Sequence, residues 1–215
     1  MSRPLLISDC DEVLLHMVVP FRDWVDEAHG IHFDLETDNV ACALRHKHDG
    51  TQVENGVVWD LLKGFFVTEM YRQQAIEGAV AAIGSLSDIA DVVILTNLLD
   101  DRAGPRAEQL RSVGIDAPVY TNQGGKGEAL AKIIAEYQPS VAVFVDDLGH
   151  QHHSIAEHNP DVWRLHMVGE PLLARHIKTS EAAHARIDLW ADAEGWIRDK
   201  LVAGEPAPAF EAILE

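Results

Sequence analysis

Five short apolar segments, spread along the chain, constrain its fold more than any other feature of the sequence. They lie at residues 5–7, 92–95, 118–120, 141–145 and 162–168. Most are continuous apolar runs, which is typical of strands buried on both faces of a parallel sheet. The fifth run is the weakest, because Arg164 and His166 interrupt it. The sequence therefore predicts five buried parallel strands.

Helical patterns lie between these segments. Apolar residues recur at helical spacing from Ile76 to Ile83, and a later helix that begins near Asp101 is expected to end at Gly114. A third helix, before the fourth strand, is terminated by Pro139. This alternation predicts an α/β fold, an open parallel Rossmann-like sheet flanked by helices. Ligands of such sheets bind beyond the carboxyl ends of the strands.

The stretch 16–72 interrupts the alternation. It is too long for a simple crossover between the first two strands, and it contains no run typical of a buried strand. Helices are expected near 21–29 and 57–66. We therefore expect a small, mainly helical domain at 16–72, inserted into an α/β core made of 1–15 and 73–215.

Composition limits the partners and the compartment. Lys and Arg number 17 and Asp and Glu number 35, so the formal net charge is −18. Such a surface repels phosphate backbones and anionic lipid, and neither nucleic acid nor a membrane is expected as a partner. Two cysteines, Cys10 and Cys42, exclude a disulfide framework. The apolar runs are too short to cross a bilayer, and no leader segment is recognisable, so we expect a cytoplasmic protein.

Polar residues follow three of the predicted strands directly, and one lysine begins a predicted helix. Since parallel strands bring their carboxyl ends to one edge of the sheet, these side chains are expected to meet there. The set consists of Asp9, Asp11, Thr96, Asn97, Lys126, Asp146 and Asp147.

The negative charge of four carboxylates at one edge of the sheet has to be balanced by positive charge. Two like charges about 4 Å apart repel by about 4 kcal/mol at an effective dielectric constant of about 20. A hard divalent cation held by oxygen ligands removes this repulsion, and Mg²⁺ prefers such ligands. A cation, a lysine and a Thr-Asn donor pair beside a free carboxylate are what phosphoryl transfer requires.

The order Asp-x-Asp, Thr, Lys and Asp-Asp resembles the four signature motifs of the haloacid dehalogenase superfamily, and the insertion resembles its C1 type of cap. The resemblance implies a phosphoric monoester hydrolase. Asp9 would be the nucleophile that forms an aspartyl-phosphate, and Asp11 the general acid and base. Thr96, Asn97 and Lys126 would bind the phosphate, and Lys126 would also steady the nucleophile.

The same resemblance implies a magnesium ion as cofactor. Asp147 is favoured as a direct ligand, with Asp146 acting directly or through water, and the Asp9 carboxylate and the backbone carbonyl of Asp11 complete the set. One departure from the family pattern is Glu12, which stands where many of its phosphatases have glycine. It adds negative charge near the metal and removes the backbone freedom that glycine would give the local turn.

The predicted function is hydrolysis of a small phosphorylated metabolite, because a cap between the first two strands usually encloses the site. Family dehalogenases lack an acid two residues after the nucleophile, so Asp11 favours phosphate esters. Arg45 and Lys47 belong to the basic cluster of the insertion and are the candidate substrate contacts. No feature indicates an oligomeric state.

Three alternatives stay open at this point. The first is a phosphotransferase or mutase of the same superfamily, which differs only in the acceptor. The second is a receiver-like signalling domain that accepts a phosphoryl group, although such domains carry their acid pair on the first strand. The third is a binding protein on a retired enzyme fold.

Overall fold

The computed structural model describes residues 2–35 and 43–208. Within them, six strands form one parallel sheet in the order β5-β4-β1-β6-β7-β8. The strands are β1 (Leu5–Ser8), β4 (Asp91–Thr96), β5 (Val119–Thr121), β6 (Ala142–Asp146), β7 (Trp163–His166) and β8 (Ala185–Arg186). The five predicted strands are thus confirmed to within two residues at each end. The edge strand β8 was not predicted, because two residues leave no recognisable pattern.

Helices cover both faces of this sheet. They are α3 (Ala79–Ser87), α4 (Ala103–Val113), α5 (Gly127–Tyr137), α6 (Gly149–His158), α7 (Pro171–Ala174) and α8 (Trp190–Ala203). Successive residues of β1 point to opposite faces, so Leu6 packs with the cluster that contains Trp190, and Ile7 with the one that contains Ile133. Gly114 ends α4 in the left-handed conformation, as expected.

The segment between β1 and β4 forms a smaller body with its own apolar cluster. It contains α1 (Val18–His29), the antiparallel strands β2 (Ile31–Phe33) and β3 (Leu44–His46), α2 (Asn55–Thr68) and a 3₁₀ helix (Met70–Arg72). The rings of Phe21 and Phe65 meet edge to face, 5.6 Å apart, at its centre. The expectation that this segment is mainly helical is confirmed, but the expectation that it lacks strands is wrong. Each strand has only three residues, which is too short for a recognisable apolar run.

The strand order decides where a ligand binds. Numbered along the core, the order is 3-2-1-4-5-6, so the direction of connection reverses between β1 and β6. This switch point opens a crevice at the carboxyl ends of the two central strands. Cys10 lies beside it as a buried free thiol, whereas Cys42 lies outside the described residues. No helix of the described residues is long and apolar enough to cross a membrane.

Candidate active site

Three carboxylates meet at the switch point. Asp9 follows β1, Asp146 is the last residue of β6, and Asp147 comes directly after it. One carboxylate oxygen from each lies within 4.8 Å of the others. All three residues are buried, and Asp9 exposes only 5 % of its surface. Parallel pairing of β1 with β6 produces this arrangement, because it holds the ends of both strands side by side.

Lys126 supplies the positive charge of this cluster. Its Nζ lies 2.8 Å from Asp9 Oδ1 and 2.7 Å from Asp146 Oδ2, and the side chain is almost fully buried. The residue caps the start of α5, and its backbone N–H donates to Gln151 Oε1 at 2.8 Å. One lysine cannot balance three ionised carboxylates, so the cluster keeps a deficit of positive charge.

Burial, together with the crowding of like charges, shifts the protonation equilibria of these acids. Burial raises the pKa of Asp9 to about 7, against the opposing effect of Lys126. Burial, and next the charge of Asp146, hold the pKa of Asp147 well above its usual range. A bound cation would reverse both effects, because it stabilises the ionised carboxylates.

The donor set fits magnesium. All three groups offer oxygen, which is the ligand type that Mg²⁺ selects. Asp146 is already engaged by Lys126 and by the backbone N–H of Leu148, which donates to its Oδ1 at 2.8 Å. Among the described residues, the Asp147 carboxylate accepts no hydrogen bond, which leaves it available as a direct ligand.

Asp11 differs from the other three acids. Its two carboxylate oxygens accept hydrogen bonds from Arg106 Nη2 at 3.0 and 3.1 Å, and Oδ1 also accepts one from Gln73 Nε2 at 2.6 Å. The expectation that four carboxylates converge is therefore wrong for the side chain of Asp11. It is paired with an arginine and lies outside the group of three, although its charge is close enough to add to the rise in the pKa of Asp9.

Sequence reasoning missed Arg106. The side chain is fully buried, and its guanidinium lies 5.6 Å from the centre of the Phe66 ring of α2. The spacing from Arg106 to Leu110 and Val113 places all three on one face of α4. This spacing is the one signal in the sequence that Arg106 is buried. It is easily overlooked, because arginine side chains usually point to solvent.

Thr96 and Asn97 lie at the end of β4, beside the lysine loop. The hydroxyl of Thr96 is buried and, among the described residues, has no hydrogen-bond partner. The side chain of Asn97 donates to the carbonyl of Gly124 at 2.9 Å and accepts from Asn122 at 3.0 Å. The free hydroxyl of Thr96 is thus available to a ligand, whereas the amide of Asn97 fixes the loop before Lys126.

Glu12 adopts the left-handed conformation, with φ 59°. Glycine takes this conformation freely, whereas another residue pays about 1–2 kcal/mol. The side chain offsets part of that cost, because Oε1 accepts hydrogen bonds from the backbone of Met17 at 2.8 Å and of Val18 at 2.6 Å. Glutamate therefore forms the left-handed turn at the position where the sequence resemblance implies glycine.

The two candidate substrate contacts lie on the hairpin of the inserted segment. Arg45 is exposed and donates to the carbonyl of Gly50 at 3.1 Å. Lys47 is exposed and forms an ion pair with Asp26 of α1. These contacts hold both side chains within the inserted segment, and their role toward a substrate stays a prediction.

Comparisons with known proteins bear on the fold. No family model matches the sequence, and no curated protein matches it. Solved structures do match over nearly the whole chain. YfnB of Bacillus subtilis, a HAD hydrolase bound to magnesium, has 13 % identity and a TM-score of 0.63, with 92 % of this chain and 99 % of that chain covered.

Two further structures give the same result. A haloacid dehalogenase-like hydrolase from Streptococcus pneumoniae has 10 % identity and a TM-score of 0.61, with coverage of 91 % and 98 %. A Thermotoga maritima protein described as a β-phosphoglucomutase has 13 % identity and a TM-score of 0.58, with coverage of 91 % and 99 %. The chain therefore has the haloacid dehalogenase-like fold, which confirms the predicted fold. Its activity has to be argued from its own residues.

Proposed function

We propose that this chain is a magnesium-dependent phosphatase that hydrolyses a small phosphorylated metabolite through an aspartyl-phosphate on Asp9. The observation that carries the proposal is the buried cluster of Asp9, Asp146 and Asp147 around Lys126, at the switch point of the sheet. A hard cation there, held by these carboxylates and the backbone carbonyl of Asp11, would neutralise charge on the phosphoryl group.

In the first half-reaction, a carboxylate oxygen of Asp9 attacks phosphorus and the ester P–O bond breaks. Asp11, which is protonated at the start of the cycle, gives its proton to the departing oxygen. Lys126 offsets the charge that gathers on the phosphoryl oxygens, and the unpartnered hydroxyl of Thr96 donates a hydrogen bond to one of them.

In the second half-reaction, water attacks the phosphorus of the acyl phosphate. Asp11 takes a proton from that water, and the bond between phosphorus and the Asp9 oxygen breaks. Phosphate leaves, and the carboxylate of Asp9 is restored. The pairing of Asp11 with Arg106 orients its carboxylate for both proton transfers.

We assign the inserted segment, residues 16–72, as a cap over this site. Phe66 of α2 packs over Arg106, and Asp9 is nearly inaccessible, so the cap has to open for a substrate to enter. A small molecule can be enclosed in this way, whereas a macromolecule cannot. The substrate class is therefore a small phosphorylated metabolite.

The structure disfavours the receiver-like alternative, but it does not distinguish a mutase from a phosphatase. Receiver domains have the flavodoxin-like order 2-1-3-4-5, whereas this sheet has the order 3-2-1-4-5-6, which disfavours a signalling role. A mutase keeps the same site and passes the phosphoryl group to a second hydroxyl. One of the structural relatives is described as a β-phosphoglucomutase. Analysis of the products separates this case, because a mutase releases no stoichiometric phosphate.

Hydrolysis of an aryl phosphate tests the proposal. We expect Asp9→Asn to lower turnover at least about a thousandfold, because the amide cannot act as the nucleophile. EDTA should stop the wild-type reaction, and added Mg²⁺ should restore it. The exposed Asp116→Asn is the matched control and should keep full activity. Undiminished turnover in Asp9→Asn, with a native circular dichroism spectrum, would refute the assignment.

A further inference from the structure

A second group of metal-ligand side chains lies apart from the three-acid cluster. It consists of Glu12, His16 and Glu170, each of which places one donor atom within 4.8 Å of the others. Glu12 lies in the turn after β1, His16 lies just before α1, and Glu170 caps the start of α7. We propose that these three residues form a second metal site, which takes a first-row transition metal such as Zn²⁺.

Each carboxylate of this group is fixed through one oxygen only. Glu12 Oε1 accepts the hydrogen bonds from the start of α1, and Glu170 Oε1 accepts one from the backbone of Leu172 at 2.9 Å. The second oxygen of Glu12 has no partner among the described residues, and the second oxygen of Glu170 faces His16 Nδ1 at 3.1 Å. Backbone hydrogen bonds that orient a ligand in this way are typical of metal sites.

One buried atom in the group has neither a hydrogen bond nor an ion pair among the described residues. It is Oε2 of Glu12, a residue that is only 2 % exposed. His16 Nδ1 and Glu170 Oε2, by contrast, lie 3.1 Å apart and contact each other. A buried polar atom without a partner is rare, and one that lies within a group of ligand side chains indicates a missing ligand.

Charge points to a cation as that ligand. Glu12 and Glu170 are both buried, and within the described part of the chain neither is paired with a lysine or an arginine. A divalent ion with a neutral imidazole balances two carboxylates, which are costly to bury unpaired. The three-acid cluster, by contrast, already contains Lys126.

The chemical types of the ligand atoms indicate which class of metal ion the site would bind. Mg²⁺ and Ca²⁺ favour sites made wholly of oxygen, whereas imidazole suits zinc and its neighbours in the first transition row. Three protein ligands, one of them histidine, leave a fourth position of a tetrahedral zinc site for water. The side chain of His16 is 28 % exposed, so an ion can reach the group from solvent.

Such an ion would link two parts of the fold. His16 begins the inserted segment, and Glu170 follows Gly169, whose backbone N–H donates to the carbonyl of Glu12 at 2.7 Å. The metal would tie the start of the insertion to the loop after β7. Its expected effect is higher stability of the loaded protein, since a ligand that binds only the native state stabilises it.

Calorimetric titration of chelator-treated protein with Zn²⁺ tests the site. Asp147→Asn serves as the background, so that the three-acid cluster is impaired. We expect one Zn²⁺ per chain in this background, and at least about tenfold weaker binding after His16→Ala is added. His32→Ala removes an exposed histidine elsewhere and should leave the affinity unchanged. Co²⁺ should give the visible absorption of a nitrogen-ligated ion, and His16→Ala should abolish it.

A second variant keeps the test decisive if His16→Ala does not fold. Glu12→Gln is nearly isosteric and should weaken Zn²⁺ binding in the same background, with the native circular dichroism spectrum retained. The proposal is overturned if the background variant binds no Zn²⁺. It is equally overturned if neither substitution weakens binding, or if His32→Ala weakens it as much as His16→Ala. All of these readouts are independent of phosphatase activity.

Discussion

Arg106 is a buried arginine whose hydrogen bonds, among the described residues, all go to the turn after β1. Its guanidinium donates to both oxygens of Asp11, approaches Cys10 Sγ at 3.1 Å and lies against the ring of Phe66. Arg106 can affect the proposed reaction through Asp11 without contacting the substrate. Under the proposed function it fixes the direction of the carboxylate that would transfer protons, and we therefore regard it as a positioning residue.

Replacement of Arg106 tests that role. Arg106→Met keeps most of the volume but removes the hydrogen bonds, so Asp11 loses its fixed orientation. We expect kcat to fall up to about a hundredfold with KM little changed, since a small misplacement of a reacting group has this effect. The pH profile of kcat should shift, and Arg106→Lys should restore part of the rate.

Arg111→Met is the matched control for this prediction. It removes an exposed arginine from the same helix and should keep wild-type kinetics. If Arg106→Met left kcat and its pH profile unchanged, Asp11 would be oriented by other groups.

Some side chains of the site can be predicted from the sequence, and others cannot. Asp9, Asp146 and Lys126 were predicted to meet because parallel strands carry their ends to one edge, whatever the details of packing. Arg106 was not predicted, because its partner lies on a different element. Only the packing of α4 against the turn after β1 brings Arg106 to Asp11.

At the scale of elements, the contact between α5 and α6 fixes the lysine. A Cβ atom on Gly127 would overlap the carbonyl oxygen of Ser154 and the ring of His158. The two helices therefore approach through this glycine. Lys126 precedes it directly, so the distance between the helices helps to set the position of the lysine.

Gly127→Ala should force the helices apart. We expect a loss of about 1–3 kcal/mol in the free energy of unfolding, which is the usual cost of overpacking, measured by urea denaturation. Gly195→Ala is the control, because it lies inside α8 with nothing within 4 Å of the added Cβ. That change should be neutral or stabilising by up to about 1 kcal/mol, because alanine favours helix. Equal stability of Gly127→Ala and wild type would mean that the helices separate without cost.

The elements that sequence missed are the short ones. The strands β2 and β3 pair only with each other, and β8 extends the sheet by two residues. Their residues carry no long apolar run, so local pattern cannot distinguish them from loop. The long buried strands and the helices α3, α4 and α5 gave such patterns and were predicted.

At the scale of the whole molecule, two apolar bodies share one chain. The inserted segment packs around Phe65, whereas the sheet packs on both faces against its helices. Val168 and Leu173, from the loop and helix after β7, also belong to the cluster of the insertion. These two residues therefore join the inserted segment to the core.

Charge is arranged unevenly in the molecule. The formal net charge is −18, yet Lys126 and Arg106 are buried beside the acids. Under the proposed function, a phosphorylated substrate would be repelled by the general surface and attracted only where these cations and a bound metal would act. The sequence predicted the surface and the lysine, whereas the enclosure of both cations depends on the complete fold.

Rapid acid quenching of the protein with radiolabelled acetyl phosphate and Mg²⁺ tests the central claim most directly. Asp9 should carry the label as an acyl phosphate that is stable in acid and lost in base, located by peptide mapping. Labelling should disappear with EDTA and in Asp9→Asn, while Asp116→Asn retains it. Label on another residue, or phosphate release with no labelled protein at any time, would contradict the account.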